Sequence, residues 1–170
     1  RADTLTQVQD AVNYDFTLVL PDSGSHLLGQ VQTRWHLTST RPIEVQLDTA
    51  MRVVRVLMDG KPDARLARTL YGRDQVTLVI PHEQAPGDTI TTMIRYHGYP
   101  RAGLVFGKDP EGQAAAFADD WPDHAHYWLP VQDVPADKAT ASFHIEVPEG
   151  YQAIANGALE RVDTLPRGRT

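Results

Sequence analysis

The ten residues Asp119-Asp120-Trp121-Pro122-Asp123-His124-Ala125-His126-Tyr127-Trp128 are the densest set of side chains able to do chemistry in this 170-residue chain. On a strand, His124 and His126 would point the same way, which is the spacing of a His-x-His metal pair, and the three aspartates could complete a site. The alternative is a polar loop whose charges are solvated or paired with Arg101 or Lys108. Asp119 and Asp120 fit either a loop cap or a negative locus for a cationic group. Trp121 and Trp128 flank the acids as packing wedges or as an exposed platform for a ligand such as a sugar. A second segment, His82-Glu83-Gln84-Ala85-Pro86, opens like the H-E-x-x-H zinc motif but has Pro86 in the second histidine's place. That motif needs a helix to bring two imidazoles to one face, and prolines flank this stretch. With no cysteine, disulfides, Fe–S clusters and thiol nucleophiles are excluded. Neither G-x-S-x-G, nor a Walker loop, nor G-x-G-x-x-G after a strand occurs. The obvious catalytic signatures are therefore missing.

Sixteen Lys and Arg against 22 Asp and Glu leave a formal charge of −6. A nucleic-acid partner is not expected, because phosphate binding needs a basic face. No apolar run approaches the roughly 20 residues of a membrane-spanning helix. The first residue is Arg1 and no apolar signal segment follows it, so the chain reads as processed or cut; the location is left open, with a lean toward secreted, periplasmic or cell-envelope.

The elements that would position the cluster alternate with period two. Val12, Tyr14, Phe16, Leu18 and Leu20 share one face; Leu27, Gly29, Val31, Thr33, Trp35 and Leu37 share another. The rhythm returns at 43–48, 76–80, 90–96 and 141–147, which predicts half-buried strands. Asp59-Gly60 and Asn156-Gly157 are hairpin dipeptides, Pro86-Gly87-Asp88 reads as a turn, and Pro21, Pro81 and Pro148 close strands. Asp63–Leu70 could form a turn or two of helix. Tyr99–Asp123 breaks the rhythm and reads as a long loop of the kind that carries function on a rigid scaffold. The expectation is a single all-β domain over 1–170, an antiparallel β-sandwich or saddle-like sheet with long loops and little or no helix.

From Phe117 to Pro130, and on through Val131-Gln132-Asp133-Val134-Pro135-Ala136-Asp137-Lys138-Ala139-Thr140, the sequence resembles the amino-terminal domain of the aminopeptidase N-like (gluzincin) zinc metallopeptidases. Those proteins carry Q-x-x-P-x-x-A-R-x-x-F-P-C-x-D-x-P-x-x-K-A-T, then a strand and a P-x-G-[YW]-x-x-x-x-N-G hairpin. The counterpart here is Pro148-Glu149-Gly150-Tyr151-Gln152-Ala153-Ile154-Ala155-Asn156-Gly157. Upstream, Tyr14-Asp15-Phe16-Thr17-Leu18 and Ile94-Arg95-Tyr96-His97-Gly98 match the family's Y-x-L and V-x-Y-x-G strands, so the resemblance spans nearly the whole chain. Leu129-Pro130-Val131 replaces F-P-C, and His126 stands where Arg is usual.

The resemblance implies a multi-domain peptidase in which a non-catalytic β-sandwich precedes a thermolysin-like domain holding G-x-M-E-N, H-E-x-x-H and zinc. The partners it implies are that catalytic domain in the same polypeptide and the free amino terminus of a peptide; zinc would sit in the catalytic domain, with no cofactor in this chain. In many members a Gln or Glu eleven positions before the family proline accepts hydrogen bonds from the substrate amine. That count from Pro130 reaches Asp119, with Asp120 beside it, and a carboxylate suits an ammonium because charge-assisted bonds are roughly twice as strong as neutral ones. Trp121, His126 and Trp128 are then loop support. The competing reading is a free-standing module for carbohydrate or protein, with Trp121, Trp128, Tyr127 and Tyr99 as its surface.

Overall fold

The structure, a computed structural model, describes residues 9–62, 67–71, 75–134, 136–166 and 168–170. The chain is all-β. Its strands are β1 (Asp10–Val19), β2 (Leu27–His36), β3 (Ile43–Asp48), β4 (Met51–Met58), β5 (Lys61–Pro62), β6 (Ala67–Tyr71), β7 (Gln75–Ile80), β8 (Thr89–Gly98), β9 (Leu104–Lys108), β10 (Ala114–Ala118) and β11 (Thr140–Glu146). One 3₁₀ turn covers Ala125–Tyr127. The strands make a six-stranded sheet in the order β11-β1-β2-β8-β4-β5, a three-stranded sheet β3-β7-β6 and the hairpin β9-β10. Every pair is antiparallel except β1 with β11, which run parallel from Asn13↔Thr140 to Val19↔Glu146.

Alternation sends one side chain of each neighbouring pair inward. Tyr14, Phe16, Leu18, Val31, Trp35, Ile90, Ile94 and Tyr96 of the large sheet share one core with Ile43, Val45, Leu47, Leu78 and Ile80 of the small one. The phase of β1 breaks once. The register slips between Ala11 and Asn13, so Ala11 is buried where continuous alternation would bury Val12. Trp35, fully buried, donates its Nε1–H to Thr92 Oγ1 at 2.8 Å, which satisfies the one polar atom its ring carries inward.

Asp59 and Gly60 both have positive φ (47° and 76°) and turn β4 into β5 as expected. Three expectations change. Tyr99–Asp123 is not one long loop, because β9 and β10 pair within it from Leu104↔Ala118 to Lys108↔Ala114. The β10 sequence, Ala-Ala-Ala-Phe-Ala, has too little contrast in polarity to show period two. Of Asp63–Leu70, positions 63–66 lie outside the described residues, and the rest is the start of β6 rather than helix. Finally, Asn156-Gly157 bends the chain but closes no ladder. The backbone pairing of that tail joins Val147 to Thr170 (N–H to O 2.8 and 2.9 Å) and Glu149 N–H to Gly168 O (2.7 Å). The stretch between exposes Ile154, Leu159 and Val162, which have no layer to pack on.

Candidate functional site

The acidic cluster leaves β10 at Ala118, and its backbone is pinned at once. Asp119 N–H bonds Gly103 O at 2.7 Å, and His124 N–H bonds Asp120 O at 2.9 Å. The 3₁₀ turn follows, held by Trp128 N–H and Leu129 N–H on Ala125 O at 3.2 and 2.9 Å. Trp128, Leu129 and Val131 then bury their side chains in the core. Apolar burial of an indole, an isobutyl and an isopropyl group is worth several kcal/mol in all, at about 1.5–3 kcal/mol for each large side chain. That is enough to hold a loop with little regular structure.

Two polar links add register. His126 Nδ1 lies 2.9 Å from Asp133 Oδ2, and the same oxygen accepts His126 N–H at 3.1 Å. Asp133 N–H in turn bonds Gln46 Oε1 at 2.9 Å, while Gln46 N–H bonds Val131 O at 2.8 Å, so the loop is tied to β3. The His126 and His124 rings pack on Tyr127, with centroids 4.5 and 5.4 Å away.

Gly103, between the end of β8 and β9, makes this docking possible. Its φ is +74°, and a Cβ there would stand 2.4 Å from His124 O, 2.7 Å from Trp128 Cδ1 and 2.9 Å from Trp128 Nε1. The segment leading into it is held by Arg101. Its guanidinium grips the fully buried Asp48 carboxylate through Nη2 to both oxygens at 2.7 Å and Nε to Oδ1 at 3.1 Å. Arg101 is therefore partnered with β3 rather than with the acidic cluster.

Within the loop the two neighbouring aspartates are used differently. Asp119 is exposed and turns back on its own chain, its Oδ1 accepting Trp121 N–H at 3.4 Å. Asp120 accepts Trp128 Nε1–H on Oδ1 at 2.8 Å and lines a groove of about 420 Å³. The groove is largely apolar, walled by Leu18, Phe106, Phe117, Phe143 and Ile145. Partial burial at the rim of this groove pushes the Asp120 carboxyl above the usual aspartate range. The Trp128 N–H opposes that shift, the Asp133 and Asp119 charges add to it and His124 opposes it. The arrangement offers one fixed, partly desolvated anion with a free oxygen, suited to a cation or a hydrogen-bond donor.

Trp121, after its cis peptide bond to Pro122, stands 82% exposed and takes no part in the packing, whereas Trp128 is 6% exposed. His124 and His126 sit on the turn rather than on a strand. Among the described residues no group of three or more His, Cys, Asp or Glu is placed to hold a metal ion. His82, in the segment that resembles H-E-x-x-H, lies in the stretch between β7 and β8 with its Nε2 2.6 Å from Arg41 O. Gly103, Gln46 and Asp48 escaped sequence reading, because each acts on the loop from another part of the fold.

The profile of one family, the peptidase M1 N-terminal domain, matches residues 11–170. No curated protein matches the chain. Among solved structures it is similar to the M1 zinc metallopeptidase of Deinococcus radiodurans, at 24% identity and a TM-score of 0.75, covering 95% of this chain and 37% of that one. A mutant of that peptidase bound to a Tyr-Ser-Ala substrate matches at the same identity and TM-score, covering 96% of this chain and 38% of that one. Native yeast LTA4 hydrolase matches at 17% identity and a TM-score of 0.75, with 95% of this chain and 26% of that one covered. At these identities the likeness to the solved structures is one of fold, and the chain spans under two-fifths of their length.

Proposed function

This chain belongs to the peptidase M1 N-terminal domain family, and from that membership we propose that it serves as the non-catalytic first domain of a zinc metallo-aminopeptidase. Its partner is a catalytic domain of the same polypeptide. It covers that domain's cleft and presents a carboxylate to the free amino terminus of a peptide. Zinc and its chemistry belong to the catalytic domain; this chain's own residues bind, orient and exclude water.

The observation that supports the reading is the state of Asp120. Its carboxylate is fixed by Trp128 on a loop docked into the core, at the rim of an apolar groove. An anion so placed favours an ammonium over a neutral amide, which would restrict turnover to the first residue of a peptide. Asp119, whose carboxylate serves its own loop, stands beside it as the second anion that raises the local negative potential. The module reading has weaker support, since Trp128, one of the four aromatic residues it needs, is buried.

The test uses an intact enzyme carrying this domain, with Asp120→Asn and Asp119→Asn measured on an aminoacyl arylamide. Loss of a charge-assisted hydrogen bond worth about 1.5–3 kcal/mol lowers kcat/KM by roughly 10- to 150-fold for Asp120→Asn. A smaller loss is expected for Asp119→Asn. Unchanged kcat/KM in both variants refutes amine recognition by this loop.

A further inference from the structure

We propose that His26 and His97 form a two-imidazole site for a divalent transition-metal ion of the copper, nickel or zinc type. His26 immediately precedes β2 and His97 is the penultimate residue of β8. The ladder between these strands runs unbroken over ten pairs, from Leu27↔Gly98 to His36↔Thr89, so the two backbones are fixed by the centre of the large sheet. His26 Nε2 and His97 Nδ1 stand 3.0 Å apart, their rings at 68° with centroids 5.2 Å apart. Both side chains are half-buried, with one side open to solvent.

Two nitrogens in this relation can share a proton or a metal. With metal–nitrogen bonds of about 2.0 Å, a 3.0 Å separation subtends about 97° at the ion, between the square and the tetrahedral angle. His26 has ladder partners only on its C-terminal side, so its ring can turn by the small amount that converging both lone pairs requires. Tyr99, 61% exposed, packs its ring 4.9 Å from that of His26 and shields one side. No third His, Cys, Asp or Glu joins the pair among the described residues, so water fills the remaining positions and the ion exchanges readily. Arg52 lies across from His97 in the β4–β8 register and is exposed, a cation that opposes the bound charge. The order of affinity follows the ligand type, with Cu²⁺ above Ni²⁺ and Zn²⁺.

The test titrates the chelator-treated 170-residue chain with CuCl₂, and separately with NiCl₂ and ZnCl₂, in a non-coordinating buffer. Affinity is read by calorimetry and the copper ligands by electron paramagnetic resonance. One Cu²⁺ per chain with nitrogen hyperfine structure is expected. Affinity should fall at least about tenfold in His26→Gln and in His97→Gln, with folding checked by circular dichroism, because each substitution removes one of two imidazole ligands. Arg52→Gln should tighten binding. His144→Gln, whose imidazole pairs with Asp15 at 3.1 Å elsewhere on the sheet, should leave it unchanged. Absence of binding at roughly 100 µM copper overturns the proposal. So does equal affinity in the double variant lacking both histidines.

Discussion

Replacing Gly103 by Ala tests whether the Asp119–Asp133 loop owes its position to one missing methyl group. Two costs follow from the geometry. Alanine at φ +74° carries left-handed backbone strain of about 1–2 kcal/mol. The Cβ also overlaps His124 O at 2.4 Å and the Trp128 ring at 2.7 and 2.9 Å, and neither contact is the free end of a flexible chain. His124 O accepts Tyr127 N–H within the turn, and the Trp128 ring is wedged in the core. Relief requires the loop to move outward, which stretches the 2.8 Å bond from Trp128 to Asp120, a charged-acceptor bond worth about 1.5–3 kcal/mol. The two costs overlap, since movement that relieves the clash breaks the bond. The expected destabilisation is therefore about 2–4 kcal/mol, or a fall of roughly 4–16 °C in Tm at about 2–4 °C per kcal/mol for this size. Urea and thermal melts followed by tryptophan fluorescence measure it. A loss under about 1 kcal/mol, with the fluorescence of the folded state unchanged, would show that the loop is not seated as described.

Asp120→Asn should change how stability depends on pH. The folded carboxyl is held above its unfolded value, so the folded state binds the proton more tightly. The stability contributed by this group therefore falls as pH rises from the ordinary aspartate range through the raised folded value. The asparagine variant should lose that slope while keeping the Trp128 bond, and its stability at neutral pH should equal or exceed the parent's; a neutral-pH loss above about 1 kcal/mol in urea melts counts against the assignment. Arg101→Met strands the buried Asp48 carboxylate. A loss of about 2–4 kcal/mol is expected, less than for a fully buried pair because Arg101 is 44% exposed. The double variant with Asp48→Asn should recover part of it, and strict additivity of the two would deny the coupling. His126→Ala should leave Asp133 without its imidazole partner and loosen the turn, while the bonds from Val131 and Asp133 to Gln46 on β3 remain. Faster amide exchange at 125–134 with little change in the sheets is the expected signature.

The strands were legible where one face is apolar and the other polar. Trp35 lies between Arg34 and His36, and Ile94 lies one residue from Arg95, so each inward side chain contrasts with an outward one. The pattern failed where contrast was missing or interrupted. Val12 sits at a register slip, and Ala114–Ala118 presents methyl groups to both faces. The candidate loop was legible as a composition, but not as a construction. Counting back from Pro130 reaches Asp119, yet the backbone bond from Asp119 to Gly103 fixes the loop so that Asp120 is the residue that meets Trp128 and the groove. That choice depends on a contact between positions 16 residues apart whose partner has no side chain, and no spacing rule encodes it. The same holds for Asp133, which meets His126 only because a tight turn and a bridge to Gln46 lie between them.

Asp120 is also the point where local structure and stability disagree. A carboxylate crowded by apolar walls, with the charges of Asp119 and Asp133 near it and only the Trp128 N–H and His124 in its favour, is worse off folded than in water. By contrast, the fold satisfies its fully buried acid: Asp48 receives a bidentate arginine and the Ala50 N–H at 2.6 Å. The two acids lie in one small domain, so the difference reflects position rather than a shortage of arginines. An anion left short of partners at the rim of a groove keeps its attraction for a cation that comes from outside, and bound ligand then supplies the stabilisation that the fold withholds. Under the proposed function, a peptide with a free amino terminus should raise the Tm of a longer protein carrying this domain, its N-acetylated counterpart should not, and Asp120→Asn should abolish the difference.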